Sequence, residues 1–490
     1  MRKTIAASVL ALTAAGAVHA QDIPQADNDW FVAGQARLQA ELAKQVNTNR
    51  ALNIILLISD GNGVGTNYAS RLFAGQQEGG FGDEYVQPFE AFPNLALVKT
   101  YNVNAQTPDS AGTGTAMMSG VKTKAGIVGV NENVVRGDCS TLPGNTVASM
   151  NEIMTAMGKE TGIVSTARIT HATPASAYAK SADRNFEASV PEGCDTQKDI
   201  ATQLFDAMMA GTIDVAMGGG KRNFHADEGG RRLDGMNLIE MAEAEGVQFA
   251  DSQASFDGLT LDGTPILGLF ENSHMMYEAD RSDEPSLAEM TAAAITALSA
   301  KAGDNGFFLQ VEAGRVDHAN HAGNLARVVR DQKAFADAVA MADEMTDDAD
   351  TLIIVTADHE HAISFNGYCG RGSNILGLCM GIDGAGVGHN GEPELASDGK
   401  PYTVAGYLNG AGSVLIEQPD GSYFGARPNV TEEEATDLDY PQQALVPKSS
   451  ETHAGEDVAV YAKGPWAHLL DGTIEQNVIF HVMHHAATVE

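Results

Sequence analysis

Five times along this chain a short apolar run stops abruptly on acidic, histidine or glycine residues. The runs lie in NIILLISDGNGVGT from residue 53, TGIVSTARITH from 161, GFFLQVEAGRVDH from 306, DTLIIVTADHEH from 350 and EDVAVYAKGP from 456. Their cores lack strict polar alternation, as expected of strands covered on both faces, and such strands belong to parallel sheets. Helical spacing lies between them. Residues 324–345 place Leu325, Val328, Phe335, Val339 and Met345 along one face, and residues 30–46 do so with Leu38, Leu42 and Val46. Strands alternating with helices predict an α/β fold with a largely parallel central sheet flanked by helices. Several runs end in ligand-type side chains: Asp60; His171 with Thr173; Glu312, Asp317, His318 and His321; Asp358, His359 and His361. In an open α/β sheet, ligands bind beyond the carboxyl ends of the strands, so distant parts of the chain can serve one edge.

The domain reading follows from what interrupts this pattern. Residues 1–20 read as a secretory signal, with Arg2 and Lys3, an apolar run, and Val18-His19-Ala20 at a cleavage site. That run is too short to cross a bilayer and no later one is longer, so an exported protein without a membrane span is expected. Residues 21–490 read as one catalytic domain. Within it, residues 363–450 are rich in Gly, Asn, Pro and Ser and read as an insertion before the chain returns to the sheet. The acidic run Glu432-Glu433-Glu434 in that insertion reads as solvated surface. Sixty-five acidic residues face 30 basic ones, a net charge of −35. Such a surface repels nucleic acid and anionic membrane, so an anion site must carry strong local positive charge. Export permits disulfides, and the closeness of Cys369 and Cys379 favours pairing them with each other, and Cys139 with Cys194.

The chemistry lies in the clusters. Asp317 and His321 stand four residues apart, which puts both on one face of a helical turn, a zinc-ligand spacing that is weak alone. Asp358-His359 after LIIVTA and Asp60 after NIILLIS are stronger signals, because charge at the end of a buried strand needs a partner. His453 precedes a further strand. Oxygen and imidazole donors without thiolates suit zinc, manganese or magnesium. Two zinc ions about 4 Å apart would clamp the entering and leaving oxygens of a phosphoryl transfer. The stretch TPDSAGTGTAMMSG from residue 107 offers several hydroxyls and no histidine, and it is not the G-x-S-x-G elbow. A serine there would need a metal instead of a histidine base.

The motifs DGNGVGT, TPDSAGTGTAMMSG, THATPASAYAKSADRNF, VEAGRVDHANHAG, TADHEHAISFNGY and ETHAGEDVAVYAKGP, in this order, resemble those of the alkaline phosphatase family. The resemblance spans residues 52–485. It implies Ser110 as the nucleophile that becomes phosphorylated, with Arg184 gripping two phosphate oxygens. It implies a first zinc on Asp317, His321 and His453, and a second on Asp60, Asp358 and His359. A magnesium would sit on Asp60, Thr173 and Glu312. Asp109, His171 and His318 would lie just behind these groups, and His361 would be structural rather than a ligand. Histidine at 171 and 318 resembles the animal-type branch, whose calcium site would here draw on Phe270, Glu271 and Glu284 in a segment one residue shorter. The family further implies a homodimer, with the N-terminal helix and the insertion at its interface. Related metal-dependent phosphodiesterases and sulfatases share the core and form the alternative within enzymes. A non-catalytic phosphate-binding protein would require a damaged ligand set, whereas every matched position carries a competent residue.

Overall fold

The computed structural model describes residues 23–489; the expected export signal at 1–20 lies outside the described residues. Two compact units are described, one up to Val46 and one from Asn47. In the first, helix α1 (Asp29–Ala43) starts on Asn28, whose side chain accepts from Trp30 N–H. None of its residues is buried, and Leu38, Leu42 and the more distal Val46 are exposed.

The second unit is organised by a ten-stranded sheet. Its first eight strands in chain order are β1 (Asn53–Ser59), β2 (Asn94–Lys99), β3 (Glu160–Arg168), β4 (Val215–Gly219), β5 (Gln248–Ala250), β6 (Ile266–Leu269), β7 (Phe307–Ala313) and β8 (Thr351–Ala357). The strands Val458–Lys463 and Gly472–Glu475 complete it. Across the sheet the order is Gly472–Glu475, β2, Val458–Lys463, β8, β1, β7, β3, β4, β6, β5. Strand Val458–Lys463 is antiparallel to both its neighbours, and the other nine run one way.

The five apolar runs of the sequence are five of these strands, and four of them, β3, β7, β1 and β8, are consecutive at the centre. Residues Ile54 to Ile58 are fully buried. Ile54, Leu56 and Ile58 pack into the core on one face, and Ile55 and Leu57 into the core on the other. This is why no alternation is visible: each face of β1 is under helices. One covering helix spans Leu325–Glu344 and buries Leu325, Val328, Phe335 and Val339. Met345 instead caps it and is partly exposed, because the chain leaves the helix there.

The edge strands carry weaker signals. In β2, Ala96 and Val98 face the core while Leu95 and Leu97 are exposed, and β4 (VAMGG) ends in glycines. Residues 363–450 make a three-stranded sheet from Ile363–Phe365, Ala405–Gly410 and Ala444–Pro447, with two small hairpins. The acidic run there is not simply solvated. Glu432 accepts from Leu378 N–H and Glu434 closes a capping box with Thr431, while Glu433 is exposed. The cysteines pair as Cys139–Cys194 and Cys369–Cys379, and no described cysteine is free.

Sheet register sets the site. Ile58 of β1 lies opposite Glu312 of β7 and Thr356 of β8, so Asp60, Glu312 and Asp358 arrive at one edge. The reversed strand begins where β8 ends, with Val460 opposite Thr356. His453 therefore reaches the same edge from the opposite chain direction.

Candidate metal centre and active site

Helix α2 (Val64–Gln77) follows β1, and helix α3 (Ser110–Ser119) begins on Ser110, with Asp109 as its cap. Asp109 is held from four sides. Its Oδ1 accepts from Gly112 N–H at 3.1 Å and Asn102 Nδ2 at 3.0 Å; its Oδ2 accepts from Gly126 N–H at 2.9 Å and Arg184 Nη1 at 3.0 Å. One carboxylate thus fixes both the start of the serine helix and the guanidinium. Arg184 gives its other arm, Nη2, to His171 Nε2 at 3.0 Å. Gly112 is required for this closeness, since a Cβ there would stand 2.3 Å from Asn102 Oδ1. The first peptide N–H groups of α3 have no partner within the helix and surround a buried Ser110.

Ser110 Oγ lies 3.3 Å from His359 Nε2 and 3.4 Å from Asp60 Oδ1. Asp60, Asp358 and His359 form one group whose ligand atoms are mutually within 4.8 Å. Asp358 Oδ1 also accepts from Gly61 N–H, and Thr113 Oγ1 donates to Asp358 Oδ2, tying α3 to the end of β8. Asp60, His171 and Glu312 form a second such group, with Thr173 Oγ1 3.5 Å from Asp60 Oδ2. Glu312 Oε1 is buried without a partner, while Oε2 is bonded by Ser165.

The third group is Asp317, His321, His361 and His453. Here proton positions can be deduced, because a carbonyl oxygen only accepts. His321 Nδ1 is 2.7 Å from the Glu451 carbonyl and His453 Nδ1 is 2.8 Å from that of Pro108, so each ring carries its proton on Nδ1. The two Nε2 lone pairs then face each other at 3.1 Å, with Asp317 Oδ1 3.5 and 3.3 Å away. Three lone-pair donors converge with no hydrogen between them, an arrangement a cation resolves. Outer partners that fix imidazole tautomers in this way are characteristic of metal ligands. His361 differs. Its Nδ1 is 2.5 Å from Glu451 Oε2 and its Nε2 2.8 Å from Asp317 Oδ1, so both nitrogens donate and neither is free to bind a cation. Burial works against its charge, yet these two bonds outweigh it and raise its pKa to about 10.

The electrostatics agree with a cation requirement. Asp60, Glu312 and Asp358 are fully buried. Burial first, and then the charges of Asp358, Asp317 and Glu312, lift Asp60 well above the carboxylate range; burial, opposed by the Gly61 N–H bond, and the Asp317 charge raise Asp358; Glu312 is raised to about 7 mainly by burial. No lysine or arginine forms an ion pair with any of the three among the described residues. Multivalent cations at these positions would restore the ionised forms.

A fourth group, His171, His274 and His318, has metal-like spacing with the opposite wiring. Both ring nitrogens of His274 face donors of Arg168: Nδ1 faces its backbone N–H at 3.2 Å, and Nε2 faces its guanidinium. The Arg168 guanidinium is itself paired to Glu187 at 2.7 Å. A neutral ring has one lone pair, and here donors of Arg168 occupy both nitrogens, so none is left for a cation.

The Alkaline phosphatase family model matches residues 51–489. The chain belongs to the alkaline phosphatase family. It is 41% identical to the alkaline phosphatase of Gadus morhua, an alignment covering 95% of this chain and 97% of the cod protein. It is 39% identical to the human tissue-nonspecific isozyme, covering 95% of this chain and 90% of that protein. Among solved structures, the Thermus thermophilus alkaline phosphatase superposes with a TM-score of 0.64 at 22% identity, covering 92% of this chain and 94% of that one. The enzyme of the Antarctic bacterium TAB5 gives 0.62 at 22% identity, covering 90% and 99%.

The fold brings together Ser110, Arg184, Asp109, Asp60, Thr173, Glu312, Asp317, His321, His453, Asp358 and His359, with His171 beside Arg184 and His318 beside His171. In the segment the resemblance assigns to calcium, burial and the nearby Glu271 charge raise the Glu284 carboxyl. Glu284 already accepts from Arg281 Nη1 at 3.0 Å and from Met276 N–H. Glu271 Oε2 accepts from Asn272 N–H, and Phe270 is buried at the end of β6. Among the described residues, no compact ligand group includes Glu271 or Glu284. Sequence reasoning missed His274, which reaches the site from a loop after β6, and Glu451, two residues before His453. The adjacency of Glu451 to the THAG motif was the available signal for the latter.

Proposed function

We propose that this chain is an exported phosphomonoesterase that works through Ser110 with two zinc ions and one magnesium. The observation that carries the reading is the position of Ser110. It opens a helix capped by the residue that anchors Arg184, and its Oγ touches the group formed by Asp60 and His359. Imidazole and carboxylate donors without thiolate suit zinc at the Asp317–His321–His453 and Asp60–Asp358–His359 positions. All-oxygen Asp60, Thr173 and Glu312 suit magnesium. Cations bound there would supply Lewis-acid charge for the entering and leaving oxygens.

The chain's own groups do the rest. Arg184, restrained by Asp109 and His171, offers guanidinium N–H groups to the non-bridging oxygens of a dianionic phosphoryl group. The Ser110 oxygen attacks phosphorus in line, the bond to the alcohol oxygen breaks, and a phosphoserine remains. Water then attacks the phosphoserine from the side the alcohol left, releasing inorganic phosphate and restoring Ser110. Ser110→Ala is expected to abolish most turnover of phosphate monoesters while retaining zinc and magnesium; normal turnover in that variant contradicts the assignment. Diester and sulfate-ester kinetics run alongside are expected to be far slower, because a diester offers Arg184 one non-bridging oxygen fewer and a sulfate ester keeps three but carries one negative charge less.

A homodimer is part of the same reading. Helix α1 exposes Trp30, Leu38 and Leu42, and the hairpins of the insertion expose Ile416 and Phe424. Sedimentation of the purified protein as a dimer is expected, and a monomer at micromolar concentration argues against it. The two disulfides, and the lack among the described residues of a helix long and apolar enough to cross a membrane, support export.

A further inference from the structure

Three side chains converge on the Asp317–His321–His453 position, and one residue outside that set touches the support of all three. Glu451 is almost fully buried, at 1% exposure. Its backbone carbonyl accepts from His321 Nδ1 at 2.7 Å, and its N–H donates to the His321 carbonyl at 3.0 Å, so the histidine is gripped at ring and backbone. Its carboxylate spans two donors. Oε1 takes Ala362 N–H at 2.7 Å and Oε2 takes His361 Nδ1 at 2.5 Å. His361 passes the contact on, donating from Nε2 to Asp317 Oδ1 at 2.8 Å. The third ligand, His453, lies two residues downstream, in a short strand paired with Glu360–His361.

We propose that Glu451 is a positioning residue for the cation held by Asp317, His321 and His453. One arm fixes the His321 tautomer, so that Nε2 presents its lone pair. The other arm holds His361 in register, so that Asp317 keeps its orientation against the imidazole pair. Replacing the carboxylate removes the second arm and leaves two buried donors, Ala362 N–H and His361 Nδ1–H, without acceptors. Outer partners of metal ligands typically alter affinity by about 10–100-fold when removed.

The inference rests on the reading that a cation occupies this position, and the test separates the two. Full-length enzyme is reconstituted with Co2+, whose visible absorption reports coordination geometry, and release to excess chelator is followed with melting temperature. Glu451→Ala is expected to release one equivalent at least about tenfold faster than wild type, with a changed spectrum and the other equivalents unaltered. Glu451→Gln is expected to stay near wild type, because its amide oxygen can accept from Ala362 and its amide N–H can donate to a neutral His361. Should the alanine variant not accumulate folded, Glu451→Asp, one methylene shorter, is expected to show the faster release in weaker form. Wild-type release rates in both shortened variants overturn the proposal. So does loss of all equivalents together with a collapse in melting temperature, which marks a merely structural residue. A glutamine variant as impaired as alanine also overturns it, in favour of a pure charge effect. If wild type binds no Co2+ with imidazole coordination, the metal reading itself fails.

Discussion

Asp109→Ala is the perturbation that best separates anchoring from chemistry, because Asp109 touches neither Ser110 Oγ nor the cation groups. The carboxylate satisfies four donors at 2.9–3.1 Å. Loss of the helix cap costs about 1 kcal/mol, and stranding the buried Gly126 N–H costs about 1–2 kcal/mol more, so a stability loss of about 2–3 kcal/mol is expected. The effect on phosphate is separate. The Arg184–Asp109 pair has side chains 17% and 19% exposed, so solvent screens it only partly. A charge-assisted bond of this kind is worth about 1.5–3 kcal/mol, and partial exposure places it near the lower end. His171 still holds Nη2, which limits how far the guanidinium can stray. An energy of about 1.5 kcal/mol corresponds to about tenfold in affinity. The inhibition constant for inorganic phosphate, measured against monoester hydrolysis, is expected to rise about tenfold in Asp109→Ala, and to change little when the same substitution is made in Arg184→Ala. A value within twofold of wild type, or an equal rise in both backgrounds, refutes the reasoning.

Two further outcomes follow from other parts of the molecule. Asp331 is buried, and burial raises its carboxyl to about 7 although Arg315 and Arg281 pull the other way. Between the unfolded value near 4 and about pH 7 the folded state holds the extra proton, so stability falls as pH rises through that window. Asp331→Asn is therefore expected to flatten the melting temperature–pH curve and to stabilise by about 1–3 kcal/mol above pH 8; curves that stay parallel to wild type contradict this. Gly112→Ala drives a Cβ to within 2.3 Å of Asn102 Oδ1. It should cost about 1–3 kcal/mol and lower activity by displacing Asp109, with partial recovery in Gly112→Ala/Asn102→Ala measured by denaturant unfolding and turnover; failure of the second change to help argues against the steric cause.

The central sheet was legible because its strands are buried on both faces, so residues such as Ile54–Ile58 leave an unbroken apolar run. The clustered site residues were legible because Asp60 and Asp358 end such runs, where a charge makes little sense without a partner. The edge strands were not. Strand β2 exposes Leu95 and Leu97, which hides its core face, and β4 packs through glycine and alanine. The roles of His361 and His274 depend on hydrogen-bond partners 90 and 106 positions away, Glu451 and Arg168, and no local spacing reports that. The first is closed off as a ligand by two carboxylates, and the second by the backbone N–H and guanidinium of Arg168.

The central claim is that a phosphoryl group passes through Ser110, and its direct measurement is mass spectrometry of the protein quenched in acid during turnover of a phosphate monoester. The account predicts one phosphoryl group on the tryptic peptide 100–122, located at Ser110 and absent from Ser110→Ala. A protein that turns over substrate rapidly yet carries no phosphate on that peptide, or carries it on Thr113 or Thr115, contradicts it.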